Sequence, residues 1–431
     1  MAFALCLLYV AVIYVRPGEI VPALASLSIT WAVGLVAAAV TAFSFVLKPR
    51  PVAESPIDWC FLAFCAVAVI TAPFHGWLGA AFRTFQTLLP LAIFYFLIRL
   101  TVQTKRQLQI LIGVIVLLTV FQAANGILQH YTGFGVGGST AYADRARMVG
   151  DEYTDRPEVL RIRGTGIFSD PNDLAMSLVL VFPFLFTMLL SPRAGSMRRL
   201  VAVGGIALLT FAIILTRSRG GLVGLGALCA AYGMRRFGLR RAVPFLLVLG
   251  GLLAVVFLTR ETLDPSEMSS QGRVQAWAVG LQLLKSSPLI GVGFGNFLEY
   301  NELVAHNSFV HSLAELGLIG AIFFVGMIYW FLVGTTARRD VAGASASTLA
   351  MDITASGIGI LVCATFLSRQ YTPILYVPIA LGATRMAVER PAGTGLGLFR
   401  PGDVARVIAL TILLTGAVYV VVRLFAIWSP R

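Results

Sequence analysis

Predominantly apolar stretches, each near the ~20 residues that cross a bilayer as an α-helix, recur along the whole chain. A soluble protein carries about a quarter charged residues, so the 12% in this 431-residue chain excludes an ordinary soluble domain. We therefore expect an all-α, polytopic membrane protein with 12–13 transmembrane helices. The first stretch is short, and an interfacial segment or an uncleaved start signal is its alternative interpretation. The stretches lie at residues 1–15, 21–47, 57–74, 82–100, 107–129, 174–191, 199–216, 218–234, 243–259, 307–333, 350–368, 371–388 and 405–428.

Arginine and lysine residues concentrate in alternate short connections, beginning with Lys48 and Arg50 and ending with the arginines between 385 and 406. The positive-inside rule makes these connections cytoplasmic, which puts the N-terminus inside and the two longest connections on the outer, periplasmic side. Topology thus explains the net charge of +13, and membrane lipids rather than nucleic acid are the expected surroundings. The chain divides into helices in 1–129, a periplasmic loop at 130–173, helices in 174–259, a second periplasmic loop at 260–306, and helices in 307–431.

Both long periplasmic loops are expected to contain short amphipathic helices. In the second loop, Pro288 and the glycines after it end a pattern of apolar residues at helical spacing. We expect this helix to lie over the outer surface of the bundle. Its apolar positions are Val274, Trp277, Ala278, Leu281 and Leu284.

Three stretches concentrate polar groups at the predicted periplasmic face, and the first is RIRGTGIFSDPNDLAM at residues 161–176. Pro171 suits the first position of a helix and Asp170 its N-cap. Capping and turn formation are therefore the alternative to substrate binding for Asp170 and Asn172. Arg163 is a further candidate for contact with a substrate.

The second polar stretch is LTRSRGGLVGLG at residues 215–226, where a transmembrane helix begins. Its glycines permit close helix packing without implying any activity. Its two arginines each cost roughly 2.5–3.5 kcal/mol at a bilayer centre and need another reason. We expect Arg219 to bind an anion, whereas Arg217 binds phosphate, pairs with an acidic loop residue, or extends to the membrane surface.

The third polar group combines SSQGRVQAW at residues 269–277 with AHNSFVHSLAELGLIG at residues 305–320. His306 and His311 are five residues apart and point about 140° apart on a helix, so they are not expected to share a metal. His311 and Glu315 are four apart and are expected to pair. No metal site and no cofactor are expected, and the five cysteines all lie in apolar segments.

Together, these stretches resemble the O-antigen ligase and O-antigen polymerase superfamily. The resemblance covers about residues 163–320 and rests on the order of motifs that are individually weak. They are Gly-x-Phe-x-Asp-Pro-Asn, Ser-Arg-Gly-Gly, Gly-Arg with a tryptophan four residues on, Pro-Leu-x-Gly-x-Gly-x-Gly-Asn, Ala-His-Asn-Ser, and Ala-Glu-Leu-Gly-Leu-x-Gly.

The resemblance implies an inverting, metal-independent GT-C-type glycosyltransferase of the bacterial inner membrane that uses an undecaprenyl-pyrophosphate-linked glycan as donor. Arg219 and Arg273 match the essential arginines of the family, and His306 matches its essential histidine. Guanidinium groups can neutralise a pyrophosphate leaving group without magnesium, and imidazole suits a general base. Asn307, beside His306, joins the residues expected to contact substrate.

The resemblance leaves the acceptor open. A glycan or the lipid A core is the expected acceptor of a polymerase or a ligase, and a protein hydroxyl is that of a protein O-oligosaccharyltransferase. A flippase or transporter for lipid-linked oligosaccharides is the alternative from another class. It predicts interrupted helices in two symmetric halves, which the sequence does not display.

Overall fold

The computed structural model describes residues 1–49, 54–75, 78–144, 159–240, 243, 250, 267–336, 348–389 and 400–426. Within these residues the chain is almost entirely α-helical, which confirms the all-α class predicted from the sequence. The α-helices are α1 (Ala2–Val15), α2 (Pro17–Ile20), α3 (Ile29–Leu47), α4 (Pro56–Thr71), α5 (Leu78–Thr101), α6 (Lys105–Thr132), α7 (Pro171–Leu190), α8 (Ser196–Thr216), α9 (Arg219–Phe237), α10 (Glu267–Ser286), α11 (Phe297–Tyr300), α12 (Ser308–Thr336), α13 (Thr348–Ala364), α14 (Pro373–Val388) and α15 (Pro401–Phe425).

Nine helical segments of the described residues are long and apolar enough to cross a membrane. Four of the thirteen predicted spans are not among these nine. Three of them are occupied by α9 and by the shorter apolar helices α13 and α14, and the fourth, 243–259, lies almost wholly outside the described residues. The α1 helix packs against α3, α5 and α6, with Cys6 and Tyr14 fully buried, which favours a membrane span over an interfacial segment. The polytopic class is confirmed, and 12–13 spans stays a prediction.

The α7 helix lies at the centre of the bundle and is the most buried of the nine segments. It packs against α6, α8, α9 and α13. Its start is the one predicted, because Asp170 accepts a hydrogen bond from the backbone N–H of Asn172 at 2.7 Å and Pro171 fills the first helical position. The polar residues before α7 are thereby fixed at one end of the central helix.

The α9 helix lies close against α13, as its glycines predicted. A Cβ atom at Gly224 would overlap the Cys363 sulfur and approach the Gly359 carbonyl oxygen. Ser218 caps α9 by accepting the backbone N–H of Gly221 at 3.1 Å. The cap fixes Arg219 as the first residue of the helix, at the same end of the bundle as the start of α7.

The first long loop forms a strand pair, so the amphipathic helix predicted there is wrong for the described part of the loop. Strand β1 (Tyr142–Asp144) pairs antiparallel with β2 (Val159–Arg161), and short 3₁₀ turns lie at Val136–Gly138 and Gly166–Phe168. The reason is that the backbone N–H groups of this loop donate to side chains of α6 and not to carbonyl groups of a loop helix. Gln122 accepts from Thr165 N, and Gln129 accepts from Arg163 N. Residues 145–158, with most of the acid-rich stretch, lie outside the described residues.

The second long loop contains the predicted amphipathic helix, α10, which begins several residues before the apolar pattern. Its buried positions between residues 271 and 286 are Ala276, Gly280 and Leu283, so the buried face is rotated from the one predicted. The reason is packing against α12: a Cβ atom at Gly280 would lie 2.8 Å from the Val310 side chain, and the ring N–H of Trp277 bonds the carbonyl oxygen of Ala305 at 2.8 Å.

The glycine-rich segment after α10, residues 288–293, inserts into a break in α12. At Gly317 the backbone has φ 62° and leaves the helix, which removes the normal bonds from Leu318 and Ile319 to residues 314 and 315. The inserted segment replaces them: Ala314 and Glu315 accept from Val292 and Gly293, at 3.0 and 2.8 Å. Leu318 and Ile319 donate to the carbonyl oxygens of residues 288 and 289. A Cβ atom at Gly291 or Gly317 would overlap the opposing backbone, so both glycines are required.

Candidate active site

His306 lies in the short connection between α11 and α12, held on both sides by backbone contacts. Ala305 before it is bound by Trp277 of α10. Asn307 after it caps α12, its side-chain oxygen accepting from Phe309 N at 3.0 Å and Val310 N at 3.2 Å. His306 itself adopts φ 48°, a left-handed conformation uncommon for a residue with a Cβ atom. The fold thus holds one histidine in a strained geometry that sequence reasoning did not predict.

Three arginines, Arg161, Arg219 and Arg273, form a group that we call the arginine cluster. Burial, and then the charges of Arg219 and Arg161, lower the pKa of Arg273 below its ordinary value. Arg161 is oriented by bonds from Nε to the Thr216 carbonyl oxygen at 2.9 Å and from Nη2 to Asn172 Oδ1 at 3.1 Å. The charge of Arg219 therefore acts on Arg273 although the two residues are 54 positions apart in the sequence.

One member of the arginine cluster, Arg273, lies close enough to affect His306. Burial, followed by the charges of Arg273 and Arg369, lowers the pKa of His306 from 6.5 to about 4, against an opposing effect of Asp170. The imidazole is consequently neutral at pH 7. A neutral imidazole beside guanidinium groups can accept a proton while the cations bind an anion.

Arg369 is the main site residue that sequence reasoning missed. It lies in the connection between α13 and α14, where its Nε bonds the Asp173 carboxylate in the first turn of α7. Its backbone N–H donates to Ser308 Oγ at 2.9 Å, and that hydroxyl donates to the Leu367 carbonyl oxygen at 2.6 Å. The signal in the sequence was a single arginine in a short connection between two apolar segments on the predicted outer side.

The structure gives the other predicted residues different roles. Asn172 orients Arg161, whereas Arg163 lies apart and binds the Thr140 carbonyl oxygen at 2.7 Å. Arg217 is exposed and ends α8 in a left-handed conformation with φ 52°. Asp170 joins the His306 surroundings in addition to capping α7.

His311 belongs to a buried network below the site. Its Nε2 lies 3.0 Å from Glu315 Oε1, which confirms the predicted pair. Glu315 also accepts the Phe297 N–H at 3.2 Å and the Tyr371 hydroxyl at 3.0 Å. One carboxylate therefore joins α12, the start of α11 and the α13–α14 connection, which is a structural role.

No cluster of three histidine, cysteine or acidic residues suited to hold a metal occurs among the residues that the structure describes. The cationic groups around His306 are arginines. The fold and these residues define a polytopic membrane protein with a histidine and several arginines gathered at one end of its bundle.

Comparisons with known proteins show which proteins this polytopic membrane protein is similar to. The O-antigen ligase family model matches residues 204–325, which contain Arg219, Arg273 and His306. Teichuronic acid biosynthesis protein TuaE of Bacillus subtilis (strain 168) is 28% identical, with 58% of this chain and 55% of that protein covered. The chain thus matches little more than half the length of this relative. The two matches support the O-antigen ligase and polymerase superfamily, which confirms the resemblance seen in the motifs.

Proposed function

We propose that this protein transfers a glycan, with inversion and without a metal, from undecaprenyl pyrophosphate to an acceptor hydroxyl at the periplasmic face. The observation that carries the proposal is the bond from Trp277 to Ala305, which holds α10, the helix of Arg273, beside the chain at His306, where the charge of Arg273 helps to keep the imidazole neutral. The proposal assigns His306 as the catalytic base and Arg219 and Arg273 as the pyrophosphate-binding residues.

The reaction needs both kinds of group at once. His306 takes the proton from the acceptor hydroxyl as its oxygen attacks the anomeric carbon of the donor glycan. The bond from that carbon to the phosphate oxygen breaks on the opposite face, and its electron pair leaves with the pyrophosphate. Guanidinium groups stabilise the charge that develops there by paired, charge-assisted hydrogen bonds. The products are the glycosylated acceptor and undecaprenyl pyrophosphate.

The position of the site suits a lipid-linked donor. The site residues lie at or just before the starts of α7, α9 and α12 and near the start of α10. These positions are beside the membrane spans and not within them. The basic residues in the alternate connections support a periplasmic position for this end. A carrier embedded in the outer leaflet of the inner membrane can present its head group at that depth.

The acceptor is a glycan on a second carrier or the lipid A core. A protein hydroxyl, the acceptor of an O-oligosaccharyltransferase, is the alternative, and a flippase is the alternative without transfer. Identification of the product formed from defined acceptors distinguishes these cases.

Separate measurement of donor binding and turnover tests the assigned roles. His306→Ala should retain donor binding and lose about 10²–10⁴-fold in turnover, since it removes a general base. Arg219→Lys and Arg273→Lys should weaken donor binding, because lysine keeps the charge and loses the planar pair of donors. His130→Ala, an exposed histidine at the end of α6, is the matched control and should behave as wild type. Normal turnover by His306→Ala would remove the proposed base.

A further inference from the structure

Two anchors hold His306, one on each side along the chain. On the preceding side, the bond from Trp277 to Ala305 ties it to α10, the helix that carries Arg273. On the following side, Ser308 Oγ receives the backbone N–H of Arg369. The chain at His306 is therefore tied to α10 and to the α13–α14 connection.

Arg369 and Asp170 face each other without closing into a hydrogen-bonded pair. The Nη2 atom of Arg369 lies 3.9 Å from Oδ2 of Asp170, beyond hydrogen-bond distance. Each side chain is held back by another contact: Nε of Arg369 by Asp173, and Oδ1 of Asp170 by the backbone N–H of Asn172. The fold fixes one donor and one acceptor apart from each other at the edge of the site.

The gap between these two atoms suits one particular chemical group. A guanidinium can only donate hydrogen bonds and an ionised carboxylate can only accept them. A hydroxyl does both, and its oxygen can lie about 2.8 Å from each of two atoms separated by this gap. The side chains of Arg369 and Asp170 are 21% and 43% exposed, so the pair is accessible to a ligand.

We propose that Arg369 and Asp170 bind a hydroxyl of the acceptor sugar, adjacent to the hydroxyl that reacts. The proposal rests on the proposed function, in which His306 takes its proton from the acceptor, so that groups beside His306 contact the acceptor. Arg369 is anchored to Ser308, two residues after His306, and its pair with Asp170 therefore lies beside that base. Asp173 is the positioning residue that keeps Arg369 from closing on Asp170.

The proposal distinguishes the two kinds of acceptor. A sugar presents further hydroxyls beside the reacting one, whereas a serine or threonine side chain presents one hydroxyl only. The open pair therefore favours a glycan acceptor. Arg369 lies outside the region that the O-antigen ligase family model matches.

Deoxygenated acceptors test this subsite. In the wild-type protein, removal of the adjacent hydroxyl from an oligosaccharide acceptor should raise the acceptor KM by about 10–100-fold and leave the donor KM unchanged. Asp170→Ser keeps the N-cap of α7 but removes the second carboxylate oxygen, and Arg369→Gln removes the guanidinium. Either variant should bind the complete acceptor weakly and lose the discrimination against its deoxy analogue.

A control variant and a binding measurement distinguish failure of the subsite from failure of the proposed function. Arg406→Gln removes another arginine–aspartate pair, that of Arg406 with Asp403 at 2.8 Å in the first turn of α15, and should keep the wild-type discrimination. Equal KM values for the two acceptors in wild type, or unchanged discrimination in both variants, would overturn the proposal, as would transfer to a peptide in preference to a sugar. Equilibrium binding of the two acceptors needs no turnover. Discrimination there without transfer would keep the subsite and refute the proposed function.

Discussion

The pH dependence of transfer is the most direct test of the surroundings of His306. A base must be neutral to take a proton, so activity is lost as the pH falls through the pKa of the histidine. Burial, then Arg273 and Arg369, lowers this pKa from 6.5 to about 4. At about pH 5.5 a histidine with the lowered pKa is about 97% neutral, whereas an ordinary histidine is about 9% neutral. At this pH we therefore expect kcat/KM to be about tenfold higher than it would be if His306 had the ordinary pKa of about 6.5.

Two substitutions should move the acidic limb of the profile in opposite directions. Arg369→Gln removes a cation that lowers the pKa of His306, so its limb should move to higher pH. Asp170→Asn removes a carboxylate that raises the same pKa, so its limb should move to lower pH. The limb of Arg369→Gln should remain below pH 6.5, because burial is the largest cause and is unchanged.

Initial rates in detergent between about pH 4 and pH 8, at substrate concentrations well below KM, report the groups of the free protein. The donor contributes no limb of its own, since a pyrophosphate diester keeps the same charge over this range. His130→Ala is the control and should give the wild-type profile. A wild-type inflection near 6.5, or a shift of both variants in the same direction, would refute the reasoning.

Three further predictions concern stability, topology and metal dependence. Glu315→Leu should lower the free energy of unfolding by about 3–5 kcal/mol, because three buried donors lose one acceptor; an unchanged melting temperature in detergent would contradict this. With the native cysteines replaced, cysteines at Thr140 and Glu302 should react with an impermeant thiol reagent in spheroplasts, and one at Lys105 should not. The reverse pattern would invert the topology. Transfer should survive EDTA, since arginines carry the compensating charge, and strict dependence on added magnesium would count against that mechanism.

Helix positions and caps were predictable because their signals are local in sequence. The length of each apolar stretch determines a span, and Asp170 with Pro171 specifies where α7 begins through contacts within three residues. The pairing of His311 with Glu315 follows from one turn of helix. These features need no knowledge of the rest of the chain.

The missed features depend on contacts between distant parts of the chain. Arg369 meets Asp173, 196 positions away, and Ser308, 61 positions away. The glycines after Pro288 read as the end of a helix, and nothing local indicates that they enter a break in another one. The buried face of α10 was predicted from hydropathy alone, which does not include the bond from Trp277 to Ala305.

The break in α12 also sets an order on biosynthesis. The residues that receive the 288–293 segment are 314–319, which the ribosome adds later than the segment itself. Until Leu318 and Ile319 have been made and inserted, the carbonyl oxygens of residues 288 and 289 have no partner. The connection that holds Arg369 is made later still. On the proposed topology, a nascent chain carries Arg273 across the membrane before α12 fixes the position of His306, and the proposed transfer must wait until α12 is in place.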